Sequence, residues 1–290
     1  MTNPLHASHY ADHALQATVS ILENRQVARD TFQLRFDCPD LARRALPGQF
    51  LMLRIAGPSD PLIGRPLALY DTVLDTHGTP RGVDVMYLVK GNLTKNLCRL
   101  QTGQRLDIWG PLGNGFAAPS AKHLIMVAGG IGQTPMLALA RERMGLRSFG
   151  DPGRRVPQAE RVTFCYGARS ADYLAGVDDF QQIGAEVRLA TDDGSRGHQG
   201  LVTDLLCEIL EAEEADAEVV CCGPEPMMKA VSELAIERGV PCQVSLETPM
   251  ACGIGICFTC VAKVDCGGAW DYQRTCVEGP VFDARRLVWD

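Results

Sequence analysis

Short apolar runs broken by turns fill the first third of the chain. Between residues 15 and 116 the segments QATVSIL, TFQLRF, QFLMLRI, PLALYDTVL, GVDVMYLVK and RLDIWG are rich in Val, Ile, Leu and aromatic residues. Gly, Pro or Asp turns separate them. Six such runs at short spacing predict an antiparallel barrel. One helical stretch, 93–100, interrupts the series. From residue 122 to 247 the texture changes to alternating strand and helix. HLIMVA, RVTFCYG, EVRLATD, AEVVCC and PCQVSLE read as strands, and 134–144, 202–210 and 226–238 as helices. That alternation predicts a parallel sheet with helices on both faces. The stretch 147–160 is polar and rich in Pro and Gly, and reads as a surface loop. The last 43 residues, 248–290, carry little periodic structure. They are too few to build a core alone, and a bound metal centre would supply the missing stability.

The expected fold class is multidomain, β plus α/β. A tail over 1–14 precedes the barrel domain (15–118), the parallel-sheet α/β domain (119–247) and a small C-terminal domain (248–290). A length of 290 residues suits about two domains with room for a third. With 46% hydrophobic and 22% charged residues, each larger domain can bury a core. The net charge of −7 argues against a nucleic-acid surface. The apolar run 123–140 is broken by Gly129, Gly130, Gly132, Gln133 and Pro135, which predicts no bilayer span. The first residues have neither a basic start nor an apolar stretch, so a cytoplasmic location is expected. His6, His9 and His13 read as part of a polar tail rather than a metal site.

Twelve cysteines change the picture. In a reducing compartment they point to metal or redox use rather than disulfides. Cys38, Cys98, Cys165, Cys207 and Cys242 are scattered and read as small buried side chains. Five others fall in the last 39 residues: Cys252, Cys257, Cys260, Cys266 and Cys276. Cys252-x4-Cys257-x2-Cys260, with Cys276 following after fifteen intervening residues, has the spacing of a plant-type [2Fe–2S] site. Gly253 and Gly255 let that loop turn its N–H groups towards the sulfurs. Structural zinc favours two matched ligand pairs, whereas here one loop supplies three ligands. Cys266, beside Gly267 and Gly268, is the alternative to Cys276 as the fourth.

Four further motifs carry candidate chemistry. Arg65-Pro66-Leu67-Ala68 opens a strand, where the arginine faces either a phosphate or flavin edge, or merely solvent before a turn. Residues 87–94 run from a strand into a helix start, and Thr94 there serves either an anion site or a helix cap. Gly129-Gly130-Ile131-Gly132-Gln133-Thr134-Pro135 follows a strand and allows a dinucleotide to approach the sheet edge, although its spacing is not G-x-G-x-x-G. Cys222-Gly223-Pro224 lies at the same edge. Cys222 there is either a nicotinamide contact, the one catalytic candidate, or a small buried residue. Arg169 and Arg196 suit a 2′-phosphate, but Asp192 and Asp193 oppose one, and NAD is the expected nucleotide.

These motifs occur in the order and spacing of the ferredoxin–NADP reductase superfamily. With the terminal cysteines added, the chain resembles, from about residue 15 to 290, the electron-transfer subunits of heterodimeric NAD-linked dihydroorotate dehydrogenases. The resemblance implies FAD on Arg65, Pro66, Leu67 and Ala68, on Met86, Tyr87 and Leu88, and on Leu93 and Thr94. It implies a [2Fe–2S] cluster on Cys252, Cys257, Cys260 and Cys276. It also implies an FMN-containing catalytic partner that oxidises dihydroorotate in pyrimidine biosynthesis, with electrons passing through cluster and FAD to NAD(H). FAD belongs in the middle because it exchanges either one or two electrons. The chain departs from the pattern at Ala68, Leu88 and Leu93, where Ser, Arg and Gly are common. No residue reads as a base for dihydroorotate. Two other readings remain: a related subunit exchanging electrons between NAD(P)H and ferredoxin or sulfur compounds, and a zinc-stapled interaction module.

Overall fold

The computed structural model describes residues 11–57, 61–118, 120–212 and 216–289. His6 and His9 lie outside the described residues. Six strands form the first unit: β1 (Leu15–Ala28), β2 (Thr31–Asp37), β3 (Phe50–Ile55), β4 (Arg65–Leu74), β5 (Pro80–Leu88) and β6 (Arg105–Leu112). They close a barrel in the order β1-β2-β5-β4-β3-β6 with antiparallel neighbours. Period-two alternation points Leu34 and Phe36, Leu51 and Leu53, Val83 and Val85, and Leu106 and Ile108 into one buried core. Helix α1 (Pro39–Arg44) was not legible in the sequence. Its six residues are too few to display a 3.6 period, yet it buries Leu41 and Ala42 against the barrel. Helix α2 (Asn92–Leu97) is shorter than the expected 93–100.

The second sheet contains β7 (His123–Gly129), β8 (Arg161–Ala168), β9 (Glu186–Thr191), β10 (His198–Gln199), β11 (Ala217–Cys222) and β12 (Cys242–Ser245), all parallel. Its order, β10-β9-β8-β7-β11-β12, reverses direction between β7 and β11. Helices α3 (Met136–Arg143) and α4 (Val177–Gln182) cover one face, and α5 (Val202–Ala212) and α6 (Glu225–Glu237) the other. The expected helix 134–144 begins only at Met136. A 3-10 turn over Gly130–Gln133 precedes it, and Pro135 caps it.

The C-terminal segment is more regular than its sequence suggests. Strands β13 (Val261–Asp265) and β14 (Trp270–Arg274) form a hairpin, and β15 (Val281–Asp283) pairs antiparallel with β12, adding a seventh strand to the second sheet. Of the ten hairpin strand positions only Val264 is buried and the rest are half-buried or exposed, which erases the alternation a sequence reading depends on. Asn114, just past β6, donates from Nδ2 to the carbonyls of Val281 (2.7 Å) and Glu278 (3.2 Å) and accepts from the Val281 N–H at 3.1 Å. The barrel and the second sheet are also joined by charge. Asp71 on β4 pairs with Arg147 (2.7 Å) and Arg141 (3.1 Å), and the Tyr70 hydroxyl donates to Asp179 at 2.6 Å. Among the described residues no helix is long and apolar enough to cross a membrane.

Candidate redox site

The cysteine loop lies on the barrel wall. A Cβ added at Gly253 would stand 2.5 Å from Met52 Cγ of β3, and Trp109 Nε1 of β6 donates to the Cys252 carbonyl at 2.9 Å. The fourth thiol arrives from a separate turn. Thr275 donates to the Cys260 carbonyl through its N–H (2.7 Å) and its hydroxyl (3.1 Å), which sets Cys276 beside Cys260. Cys266 sits instead in the exposed turn of the β13–β14 hairpin.

The four thiols fall into two pairs. Cys252 lies close enough to Cys257 to shift its titration, and Cys276 stands in the same relation to Cys260. Two pairs suit a core of two irons, each taking two thiolates. The surroundings favour a thiolate at two of the four positions. Hydrogen bonds from Thr259 bring the Cys257 thiol down to about 6, and the thiol of Cys276 does the same for Cys260, while the bond to Cys260 and burial push the Cys276 thiol up. The Ile254 N–H points at Cys252 Sγ from 3.4 Å. Cys260 and Cys276 are buried while Cys257 is exposed, so the ligand set runs from the interior to the surface. Beside it lies an open hollow of about 620 Å³, lined in part by Arg54, Ile63, Trp109, Cys252 and Ile254.

The flavin candidates divide by strand alternation. Leu67, Tyr87 and Leu93 point into the barrel core, and the Tyr87 hydroxyl is bonded to Asn24 at 3.0 Å. These three can offer only backbone to a ligand. Pro66, Ala68 and Leu88 are the outward, half-buried positions. Together they make a strip of small and apolar side chains that suits the flat face of a flavin. Arg65 is exposed, and its guanidinium caps the carbonyls of Ile63 and Gly64 at 3.1 Å. The Thr94 hydroxyl accepts from the N–H groups of Lys90 and Gly91 at 3.0 and 3.1 Å, so it caps the start of α2.

The nucleotide candidates meet where the sheet order reverses. Gly129, Gly130 and Gly132 follow β7, and Cys222 ends β11 beside it. Open space faces Gly130, and its φ of +55° suits glycine. Cys222 is buried, and burial pushes its thiol up to about 12. It therefore stays a neutral thiol at this edge.

Two contacts link the three motif groups. Met52, which carries the cysteine loop, pairs across strands with Pro66 of the flavin strip. At the other end of the strip, Gln133 Nε2 in the glycine turn contacts Met86 Sδ at 2.9 Å. The Gln133 Oε1 is buried at that seam without a hydrogen-bond partner in the protein. Sequence reasoning missed Met52, which looks like an ordinary strand side chain, and gave Gln133 only as part of the glycine turn, with no role of its own.

Family models match three successive stretches. Residues 18–116 match an oxidoreductase FAD-binding domain and 126–233 an oxidoreductase NAD-binding domain. Residues 247–288 match the iron-sulfur cluster binding domain of dihydroorotate dehydrogenase B. A dihydroorotate dehydrogenase B (NAD(+)) electron transfer subunit of Desulforamulus reducens is 36% identical over 272 residues, covering 93% of this chain and 97% of its own. One from Shouchella clausii is 34% identical over 277 residues, covering 94% and 98%. Among solved structures, a chain of an NADH-dependent reduced ferredoxin-NADP oxidoreductase superposes with a TM-score of 0.76 at 29% identity, covering 94% of this chain and 90% of that one. Phthalate dioxygenase reductase, at a TM-score of 0.57 and 19% identity over 87% of each chain, shares the fold.

Proposed function

Because the chain belongs to the family of dihydroorotate dehydrogenase B electron transfer subunits, we propose that it relays electrons from a catalytic partner, through the cysteine loop and the flavin strip, to NAD+. The observations that carry this reading are the two contacts flanking the flavin candidates: Gly253 against Met52, which pairs with Pro66, on one side, and Met86 against Gln133 on the other.

In this reading Cys252, Cys257, Cys260 and Cys276 hold the cluster. Pro66, Ala68 and Leu88 lie against the flavin, while the backbone of Leu67, Tyr87 and Leu93 shapes the strand and helix start around it. Gly129, Gly130 and Gly132 admit the nucleotide, and Cys222 borders the nicotinamide. A bound FAD supplies the interchange between a hydride's electron pair and single electrons. The protein's task is to hold the three sites in line and keep water from the seam at Gln133. The domain limits 15–118, 119–247 and 248–290 fit this division of labour, with β15 tying the last unit to the second.

The partner is an FMN-containing subunit that oxidises dihydroorotate and docks over the cysteine loop. Leu62, Ile63, Ile256 and Phe258 support this placement. They are respectively 67%, 49%, 65% and 63% exposed, which is unusual for such side chains near one site. The ferredoxin-linked and zinc-module readings lack comparable support. The isolated chain should reduce an artificial dye with NADH but leave dihydroorotate untouched. In the complex, Cys260→Ser should abolish dihydroorotate-to-NAD+ transfer while dye-coupled dihydroorotate oxidation survives. Native-rate NAD+ reduction without the cluster would overturn the relay.

A further inference from the structure

Arg274 lies between the loop that carries three of the cysteines and the turn that carries the fourth, and it engages both. Its Nη1 donates to the Gly255 carbonyl at 3.1 Å, inside the Cys252–Cys257 segment. Its guanidinium stacks 5.3 Å from the ring centre of Phe258, inside the Cys257–Cys260 segment. On the other side it grips Glu278: Nη2 donates at 2.5 Å, Nε at 3.2 Å and its own backbone N–H at 2.7 Å. The Arg274 carbonyl accepts from the N–H groups of Val277, Glu278 and Gly279, closing the turn around Cys276. The side chain is only 19% exposed, so water screens its charge weakly.

Gly255 is the joint of this arrangement. Its φ is +80°, and an added Cβ would stand 2.7 Å from Val277 Cγ2 and 3.2 Å from Arg274 Nη1. Its carbonyl takes the Arg274 proton. One glycine thus meets the arginine and Val277 of the Cys276 turn together.

We propose that Arg274 is a positioning residue for the cluster: it locks the three-cysteine loop to the Cys276 turn and sets a fixed positive charge beside the ligands that favours the reduced form. The proposal rests on the ligand set given above. Reduction adds one electron to an already anionic cluster, so a nearby cation raises its potential and a nearby anion lowers it. Glu278 partly offsets Arg274, and the two residues have opposite electrostatic effects. Lysine keeps the charge but cannot reproduce the planar fork on Gly255 and Glu278.

The test is a redox titration, followed by electron paramagnetic resonance, of the purified holo-chain and its R274Q, R274K and E278Q variants, with iron content measured in each. The expected result is a more negative midpoint for R274Q, a more positive one for E278Q, and for R274K a midpoint near native with a broadened signal. A native midpoint in iron-replete R274Q overturns the electrostatic role. Midpoints of R274Q and E278Q that move in the same direction overturn it too, because loosened packing alone then accounts for both. If R274Q loses its iron, E278Q still decides, because a midpoint that does not move to a more positive value there overturns the electrostatic role. A Cys276→Ser chain that keeps full iron and a native signal would defeat the ligand assignment itself, a result separable from the fate of Arg274.

Discussion

The carbonyl oxygen of Cys222 lies 2.2 Å from the point where a Cβ on residue 132 would stand. The turns after β7 and β11 therefore touch backbone to backbone, and only glycine fits at 132. Gly132→Ala forces them apart, at a cost of about 1–3 kcal/mol as overpacking. The nucleotide edge is the part displaced, so affinity for NAD+ should fall roughly tenfold while FAD and iron content stay native. Calorimetric titration with NAD+ beside a flavin and iron assay measures all three.

The four cysteines proposed as ligands lie outside the barrel, so on that proposal the cluster can be removed alone. Cys257→Ser offers a hard oxygen where a soft thiolate is needed. Iron should drop and the visible spectrum should reduce to that of a flavoprotein, with FAD retained. Unchanged iron and an unchanged spectrum would count against Cys257 as a ligand.

Asp71 is the charge joint between the two larger units, 10% exposed and flanked by Arg147 and Arg141. Asp71→Ala leaves two guanidinium groups facing each other at a half-buried seam. Loss of one partner from such a cluster costs about 3–5 kcal/mol. The expected outcome is a melting temperature lowered by roughly 10 °C, with slower NADH-to-flavin transfer in stopped flow. A variant with unchanged melting would show that the seam is held by its apolar contacts instead.

Nucleotide choice should depend on Asp193. Its Oδ1 accepts from the Ser195 hydroxyl at 2.6 Å and N–H at 3.0 Å, which hold the carboxyl below the usual carboxylate range. Ser195 Oγ also accepts from the Ala171 N–H at 2.8 Å, joining the end of β9 to the loop after β8 that carries Arg169. An acid at this edge suits a ribose diol and repels a 2′-phosphate. Asp193→Asn should therefore raise the NADPH-to-NADH ratio of kcat/KM several-fold, chiefly through KM. A ratio that does not move would assign the choice to other residues.

The sequence by itself determined the elements whose signal is local. Period-two runs gave the six barrel strands, strand–helix alternation gave the parallel sheet, and the spacing of Cys252, Cys257 and Cys260 gave the loop, because each is written within a few neighbouring residues. Short or solvent-facing elements escaped. Helix α1 is too brief for its period to emerge, and the β13–β14 hairpin buries a single strand residue, Val264, too few to mark a face. Tertiary structure alone decided which residues meet across the chain. It set Cys276 rather than Cys266 beside Cys260, through hydrogen bonds from Thr275. It turned Leu67, Tyr87 and Leu93 into the barrel core, and it placed Met52 under the cysteine loop and Gln133 against Met86. Such pairings join positions as much as two hundred residues apart, and they arise from barrel closure and sheet order, which no local run of side chains encodes.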